Sequence, residues 1–440
     1  MLELSGSHGS RCDGVSRRQF LRIGAWTACG LTLPDVLRLR AQARPAGPAV
    51  KPKSAIVICL QGGPSHIDLY DMKPNAPIEF RGEYDPMHTN VPGIDICDQM
   101  PPQASIADKL AIVRGVRFIE NNHDLSEVYT GLPRLAARPA FGSIVSRFYP
   151  HHTEMPRYVA LRKHHYEDPR YVGSAHRPFW PRGFGVENLE LAQDLTLDRL
   201  EDRKGLRRAL DKVRRNVDAV GDLGGHDAFT EQALNIISST KVRDAFDISL
   251  ESEATRRLYG DPRATFYYGN YPERWDSHSF LLARRLAEAG VPIVTLSMGS
   301  WDHHGGAIAI FPGVRRLLPL LDRSIYALVT DIYQRSLQDE IAVMVWGEFG
   351  RTPRINRNAG RDHWPQAGFV LFSGGGYQTG QIIGATDERA EQPRDTNINV
   401  QNIVGTLYHT LGIDPSRELI NHAGRPVPLL DDREPVRKLL

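Results

Sequence analysis

The sequence predicts an α/β fold, a mostly parallel sheet with helices on both faces, and three observations carry that expectation. Several runs are almost continuously apolar: 54–61 (SAIVICLQ), 291–298 (VPIVTLSM), 341–346 and 368–373. Strands without polar alternation are buried on both faces. Between the second and third runs, residues 315–335 have the apolar spacing of a long amphipathic helix. Strand, helix, strand is the rhythm of a parallel crossover. Finally, runs end at Gly62, Gly299 and Gly347, followed by acids, histidines and arginines. Ligands bind in this position in open α/β sheets, at the carboxyl ends of the strands.

Composition sets the bounds. The chain has 440 residues, 41% hydrophobic and 24% charged, with a net charge of +2. This is ample material for a large core. Near-neutral charge excludes any expectation of nucleic acid as a partner. Residues 1–43 differ in kind: Ser16-Arg17-Arg18-Gln19-Phe20-Leu21 is a twin-arginine export signature, followed by a weakly apolar run, 23–33, and a small-residue site, Ala41-Gln42-Ala43. The run is shorter than the roughly 20 apolar residues of a membrane-spanning helix. The expected partner of Arg17 and Arg18 is the twin-arginine export machinery. The mature chain is expected in the periplasm or outside the cell, with no transmembrane segment. Cys12 and Cys29 fall in the leader. The remaining Cys59 and Cys97 make no disulfide framework, although a bridge between them stays open.

Residues 44–53 form a connector to the first strand, 54–61, which breaks into GGPSHIDLYD and presents His66, Asp68 and Asp71. The plainer reading of that stretch is a turn with a capping aspartate. A Pro/Gly-rich stretch, 73–98, wraps the surface, and a short helix over 101–109 leads to a strand over 110–116. His123 and Asp124 precede a helix ending at Gly131, where they serve either as ligands or as a helix start. Helices are expected over 141–149, 198–220, 231–239 and 277–289, with insertions or a cap around 158–269. The strand 291–298 leads to Asp302, His303 and His304, and the strand 341–346 leads to Glu348, Arg351, Arg354, Arg361, Asp362 and His363. After 368–373 comes Gly374-Gly375-Gly376. No Gly-Lys-Ser/Thr follows, so this is a tight turn rather than a phosphate cradle. A helix over 400–411 stops at Gly412.

Carboxylates and imidazoles without thiolates suit one or two divalent cations, zinc, manganese or calcium. The leading ligand candidates are Asp68, Asp302, His304, Glu348 and His363, with His66, His303, Asp362 and His123 as further ones. Arg351, Arg354 or Arg361 would bind a sulfate or phosphate through paired N–H donors. The plainer alternative is a loop stapled by ion pairs.

The leader, GGPSHIDLYD, WDHH, GEFGRTPRIN, GRDHWP, GGGYQTGQIIGATD and GRPVPLL resemble a family of twin-arginine-exported bacterial proteins, abundant in planctomycete-type genomes and catalogued as domain of unknown function family 1501. That resemblance implies kinship with the alkaline phosphatase/sulfatase superfamily: a single three-layer α/β/α sandwich over 54–440, with a metal centre at the carboxyl edge of the sheet. By the same resemblance, Asp302 with His304 (or His303) is similar to an Asp/His pair on one metal, and His363 to a late ligand. Glu348 stands where an Asp-His or Asp-Asn pair is usual, with Phe349 after it, and Asp68 resembles a displaced first-strand acid. The superfamily nucleophile precedes a Thr-Gly. Here Thr130-Gly131 follows Asn121–Asp124, which leaves Ser65, Ser126 or a metal-bound water. The implied function is an exported metal-dependent hydrolase of sulfate or phosphate esters, acting on an anionic small-molecule or polysaccharide ester by in-line displacement at a mono- or dinuclear centre. The alternative is a non-catalytic metal- or glycan-binding cell-surface protein on the same fold.

Overall fold

The computed structural model describes residues 53–149, 154–162, 166–181 and 239–440. Its centre is a seven-stranded sheet built from β1 (Ser54–Leu60), β2 (Ala111–Val116), β3 (Val159–Ala160), β4 (Ile293–Met298), β5 (Ile341–Gly347), β6 (Gly368–Gly374) and β7 (Gln381–Ile383). The spatial order is β7-β2-β6-β5-β1-β4-β3. β1 lies between β4 and β5, parallel to both, with Ile58 opposite Leu296 on one side and Val345 on the other. Every residue of β1 is buried, as its unbroken apolar run requires.

Period-two alternation splits the core into two layers. Ile56, Ile58, Leu60, Val343 and Val345 face the helices α4 (His278–Glu288) and α5 (Ile310–Gln334). Ala55, Val57, Cys59, Met344 and Trp346 face α3 (Phe141–Phe148) and α6 (Val400–Thr410). Two shorter helices, α1 (His66–Leu69) and α2 (Ser126–Thr130), follow the β1 and β2 regions. This is the expected three-layer sandwich with a mostly parallel sheet.

The crossover from β4 through α5 to β5 passes over β1, as the strand order shows. β6 departs from the rhythm: it runs antiparallel to both β5 and β2. No helix separates β5 from β6, so the chain crosses the carboxyl edge of the sheet and turns straight back. The segment between them, 348–367, therefore spends its whole length at the edge where a site would be.

Smaller differences have local causes. The expected helix over 101–109 divides into Pro101–Ala104 and a tighter turn at Ala107–Lys109. α5 begins at Ile310, earlier than the spacing indicated, because Ile310, Phe311 and Val314 continue its buried stripe. A hairpin of Ala264–Tyr268 and Tyr271–Trp275 lies partly within the region read as an insertion. The expected helix over 198–220 and all of the one over 231–239 but Ser239 lie outside the described residues, as does the expected leader. Cys59 and Cys97 are both free and buried. Among the described residues no helix is long and apolar enough to cross a membrane.

Candidate metal centre

Three loops at the carboxyl edge bring the site together. The loop after β4 is pinned to the loop after β1, because the Trp301 amide donates to the Gln61 carbonyl at 2.8 Å. The Tyr268 hydroxyl donates to the Asp302 carbonyl at 2.7 Å, so the hairpin fixes the position of Asp302. The β5–β6 connection folds on itself through a two-residue antiparallel pairing of Arg351 with His363. It then interleaves with the β4 loop: a Cβ on Gly360 would lie 1.9 Å from the carbonyl carbon of His304, an approach only glycine permits. The third loop, after β2, supplies Asn121 and His123.

Ligand atoms from His123, Asp302, His304 and His363 all lie within 4.8 Å of one another. Asp302 Oδ1 is 2.7 Å from His304 Nε2 and 3.3 Å from His363 Nε2, and the two imidazole Nε2 atoms are 3.0 Å apart. Asp302 Oδ2 is 3.1 Å from His123 Nε2. Atoms bound about 2.1 Å from one tetrahedral ion would stand roughly 3.4 Å apart. The close pairs of the cluster, 2.7 to 3.3 Å, come near that spacing.

The outer nitrogens explain why the inner ones converge. His363 Nδ1 lies 2.5 Å from the Asn121 carbonyl oxygen, His304 Nδ1 lies 2.9 Å from Asp362 Oδ1, and His123 Nδ1 contacts Glu348 Oε1. A carbonyl oxygen only accepts, so His363 carries its proton on Nδ1. His304 stands between two carboxylates, Asp362 behind Nδ1 and Asp302 at Nε2. The Nε2 atoms of His304 and His363 face Asp302 Oδ1 and each other. An oxygen acceptor behind each ligating histidine is the usual support of metal-bound imidazole. Asn356 adds to the cradle by donating to the His304 carbonyl at 2.9 Å. Three imidazoles and one carboxylate fit a divalent ion, and among the expected metals they fit zinc best.

Shared protons tie the imidazoles and carboxylates of the cluster together. Hydrogen bonds to Asp302 and Glu348 push His123 up to about 9. Burial alone would raise Asp302, but His123, His363 and Arg351 outweigh it and hold the carboxyl well below the usual range. Burial pushes His303 down to about 4. His303 points away into the core beneath the Tyr268 ring, 5.9 Å between centroids, and is not one of the converging ligands.

Other sequence candidates occupy different positions. Asp68, expected as a ligand, is fully buried and held by Arg361 through two contacts of 2.8 Å. The remaining donors of Arg361 go to the carbonyls of Phe80, Thr352 and Pro353. Arg351 is likewise consumed: it donates to the carbonyls of Gly62, Gly63 and Arg361 and, at 2.6 Å, to Asp302 Oδ1. Both guanidiniums hold loops together, which corrects the expectation that they would face an anionic substrate. Arg354 is exposed. The Ser65 hydroxyl donates to Asp68 at 2.5 Å, and Ser126 is buried at the start of α2. His66 is buried, with Nε2 2.9 Å from the Ala390 carbonyl. Glu348 supports His123 from behind, and its Oε2 is buried without a partner among the described residues.

Beside the cluster opens a cavity of about 1000 Å³ that His123, Asp302 and Glu348 help to line, with Tyr268, Arg162 and Arg274. Sequence reasoning gave no role to Asn121 or Asn356, nor to Tyr268, Arg162 and Arg274 on the cavity wall. Asn121 acts through its backbone, and the hairpin carrying Tyr268 and Arg274 had no glycine-bounded apolar run to mark it.

The fold and site thus define an α/β/α protein with a His/Asp cluster on the carboxyl edge of its sheet. The chain belongs to the family described as protein of unknown function (DUF1501), whose model matches residues 52–440. No curated protein matches it in sequence. Among solved structures it is similar to the PsFucS1 sulfatase from Pseudoalteromonas sp., with 9% identity, TM-score 0.33, and coverage of 89% of this chain and 72% of that one. It is also similar to the lipoteichoic acid synthase LtaP from Listeria monocytogenes, with 9% identity, TM-score 0.32, and coverage of 83% and 73%. The C-terminal periplasmic domain of EcEptC from Escherichia coli, in complex with zinc, aligns with 8% identity, TM-score 0.35, and coverage of 89% and 92%.

Proposed function

We propose that this chain is an exported, metal-dependent hydrolase of sulfate or phosphate esters. The carrying observation is the convergence of Asp302, His304, His363 and His123 from three loops, each histidine backed by an oxygen acceptor. These four residues would hold the ion. A bound divalent ion supplies Lewis-acid polarisation of the ester oxygen and makes water acidic enough to attack near neutral pH. The chain's own groups do the rest. Asp362 and the Asn121 carbonyl keep the His304 and His363 protons on Nδ1, which leaves Nε2 free. Arg351 fixes the Asp302 carboxylate, and Glu348 holds His123 by its outer nitrogen. The cavity beside them receives the ester.

One observation favours a second reading, a non-catalytic metal- or glycan-binding protein. The Ser65 hydroxyl is committed to Asp68, and Arg351 and Arg361 are saturated by protein acceptors. The test is metal analysis of the mature chain together with turnover of aryl sulfate and aryl phosphate, with and without chelator. Stoichiometric metal with chelator-sensitive turnover supports the hydrolase, and metal without turnover of either ester supports the binder. Absence of metal from wild type, with melting unchanged by Asp302→Ala and His363→Ala, would sink both.

A further inference from the structure

Glu127 is a buried carboxylate that is no part of the converging cluster. It is the second residue of α2, and its side chain turns back toward the segment that precedes the helix. Oε1 accepts from the Ile119 amide at 3.0 Å. Oε2 accepts from the same amide and from that of Glu120, both at 2.9 Å. Among the described residues no lysine, arginine or histidine pairs with it, and the charge of Glu120 acts against it. Burial outweighs the two amides and pushes the carboxyl up to about 7. A buried carboxylate without a counter-ion destabilises a fold, so what it holds calls for an explanation.

Its contacts fall where the chain leaves the body of the protein. The Phe118 amide is still fixed to the Pro365 carbonyl at 2.8 Å, and Leu125 is buried at the other end. Between them Asn121, Asn122 and His123 are exposed, and packing alone does not fix such a segment. Yet the Asn121 carbonyl lies 2.5 Å from His363 Nδ1, and His123 reaches both Asp302 and Glu348. On the helix side two side-chain turns close the loop. The Asp124 amide donates to Asn122 Oδ1 at 2.7 Å, and the Ser126 amide to Asp124 Oδ1 at 2.9 Å. The Tyr166 hydroxyl adds a contact to the His123 carbonyl at 3.2 Å. On the strand side Glu127 clamps residues 119 and 120, so both ends of the loop are tied to the start of α2.

We infer that Glu127 is a positioning residue of the metal centre: its carboxylate sets the loop that places the Asn121 carbonyl behind His363 and His123 against Asp302. It touches no ligand and acts only through the backbone of residues 119–123. The inference rests on the metal-centre reading, and the experiment separates the two.

Zinc affinity of the purified protein is measured by competition with a chelator dye, alongside the melting temperature of the metal-free protein. Glu127→Gln keeps the length but turns N–H donors toward the two amides, and Glu127→Asp keeps the charge but loses the reach. Both should weaken zinc binding about tenfold or more, the scale on which supporting partners of metal ligands act. Val128→Ala trims a buried apolar side chain on the same helix. It should lower the melting temperature and leave zinc affinity at the wild-type value. That contrast distinguishes positioning from a general loss of stability. Zinc affinity unchanged in both Glu127 variants, or lowered as much by Val128→Ala, overturns the inference while the metal centre stands. A wild-type protein that binds no zinc overturns both.

Discussion

The loop after β1 and the loop after β4 are close counterparts in sequence. Each leaves a buried strand through glycine and offers histidine and aspartate within a few residues. In the fold they do opposite things. After β1 the polar groups are consumed within the protein: Asp68 by Arg361 and Ser65, His66 by the Ala390 carbonyl, and Asp71 by Thr386 and Lys73. After β4, Asp302 and His304 turn toward His123 and His363, with the Nε2 atoms of His304 and His363 facing one another. Residue type after a strand therefore does not separate a staple from a site. What separates them is what satisfies the groups: a buried arginine and a backbone carbonyl after β1, imidazoles converging from other loops after β4.

The largest expected effect tests the staple. Arg361→Leu leaves the Asp68 carboxylate buried without its cation. Removing one partner of a buried pair costs about 3–5 kcal/mol, so the denaturant midpoint should fall sharply. The double variant Asp68→Leu/Arg361→Leu should recover much of the loss. A midpoint for Arg361→Leu within error of wild type would refute the staple.

The second effect tests the site. Saturating zinc at about 1,000 times its dissociation constant should stabilise wild type by about 4 kcal/mol, read as a rise in melting temperature. Asp302→Ala should lose that rise and still fold without metal. A zinc-dependent rise of the same size in the variant would place the ion elsewhere.

A smaller effect sharpens the comparison at the outer layer. Asp362→Asn removes the charged acceptor behind His304. Such supporting partners are worth about 10–100-fold in metal affinity, and competition with a chelator dye reads that range. Because Asp362 is exposed, metal-free stability should hardly move.

The smallest effect is a pH slope. Burial lowers the pKa of His66 below its ordinary value, so the unfolded chain takes up this proton first as the medium is acidified. Stability from the neutral ring is complete above the unfolded value near 6.5 and is lost as the pH falls below it. One such group contributes a slope of up to about 1.4 kcal/mol per pH unit. His66→Gln should flatten the stability curve in that window. An unchanged slope would mean that His66 is not held neutral.

Much of the architecture was legible because its signals are local. β1, β4, β5 and α5 each bury their apolar positions at the period their geometry imposes. The reversal of β6 was not legible, since an apolar run carries no direction. It follows from the lack of a crossover helix between Gly347 and Gly368. The partner of Asp68 stands 293 positions away, and no spacing rule connects Asp68 with Arg361. Of the ligand-type residues singled out, the fold brings together Asp302, His304, His363 and His123, with Glu348 and Asp362 behind them. Why Asp302 and not Asp68 takes that place is decided by which arginine reaches which carboxylate, and that information is wholly tertiary.

The most direct measurement is the anomalous scattering of zinc in crystals of the metal-loaded protein. The account predicts one strong peak about 2.0–2.1 Å from Nε2 of His304 and His363 and bonded to the Asp302 carboxylate, with His123 completing the set. A peak at Asp68 and His66, or none at the carboxyl edge of the sheet, would contradict it.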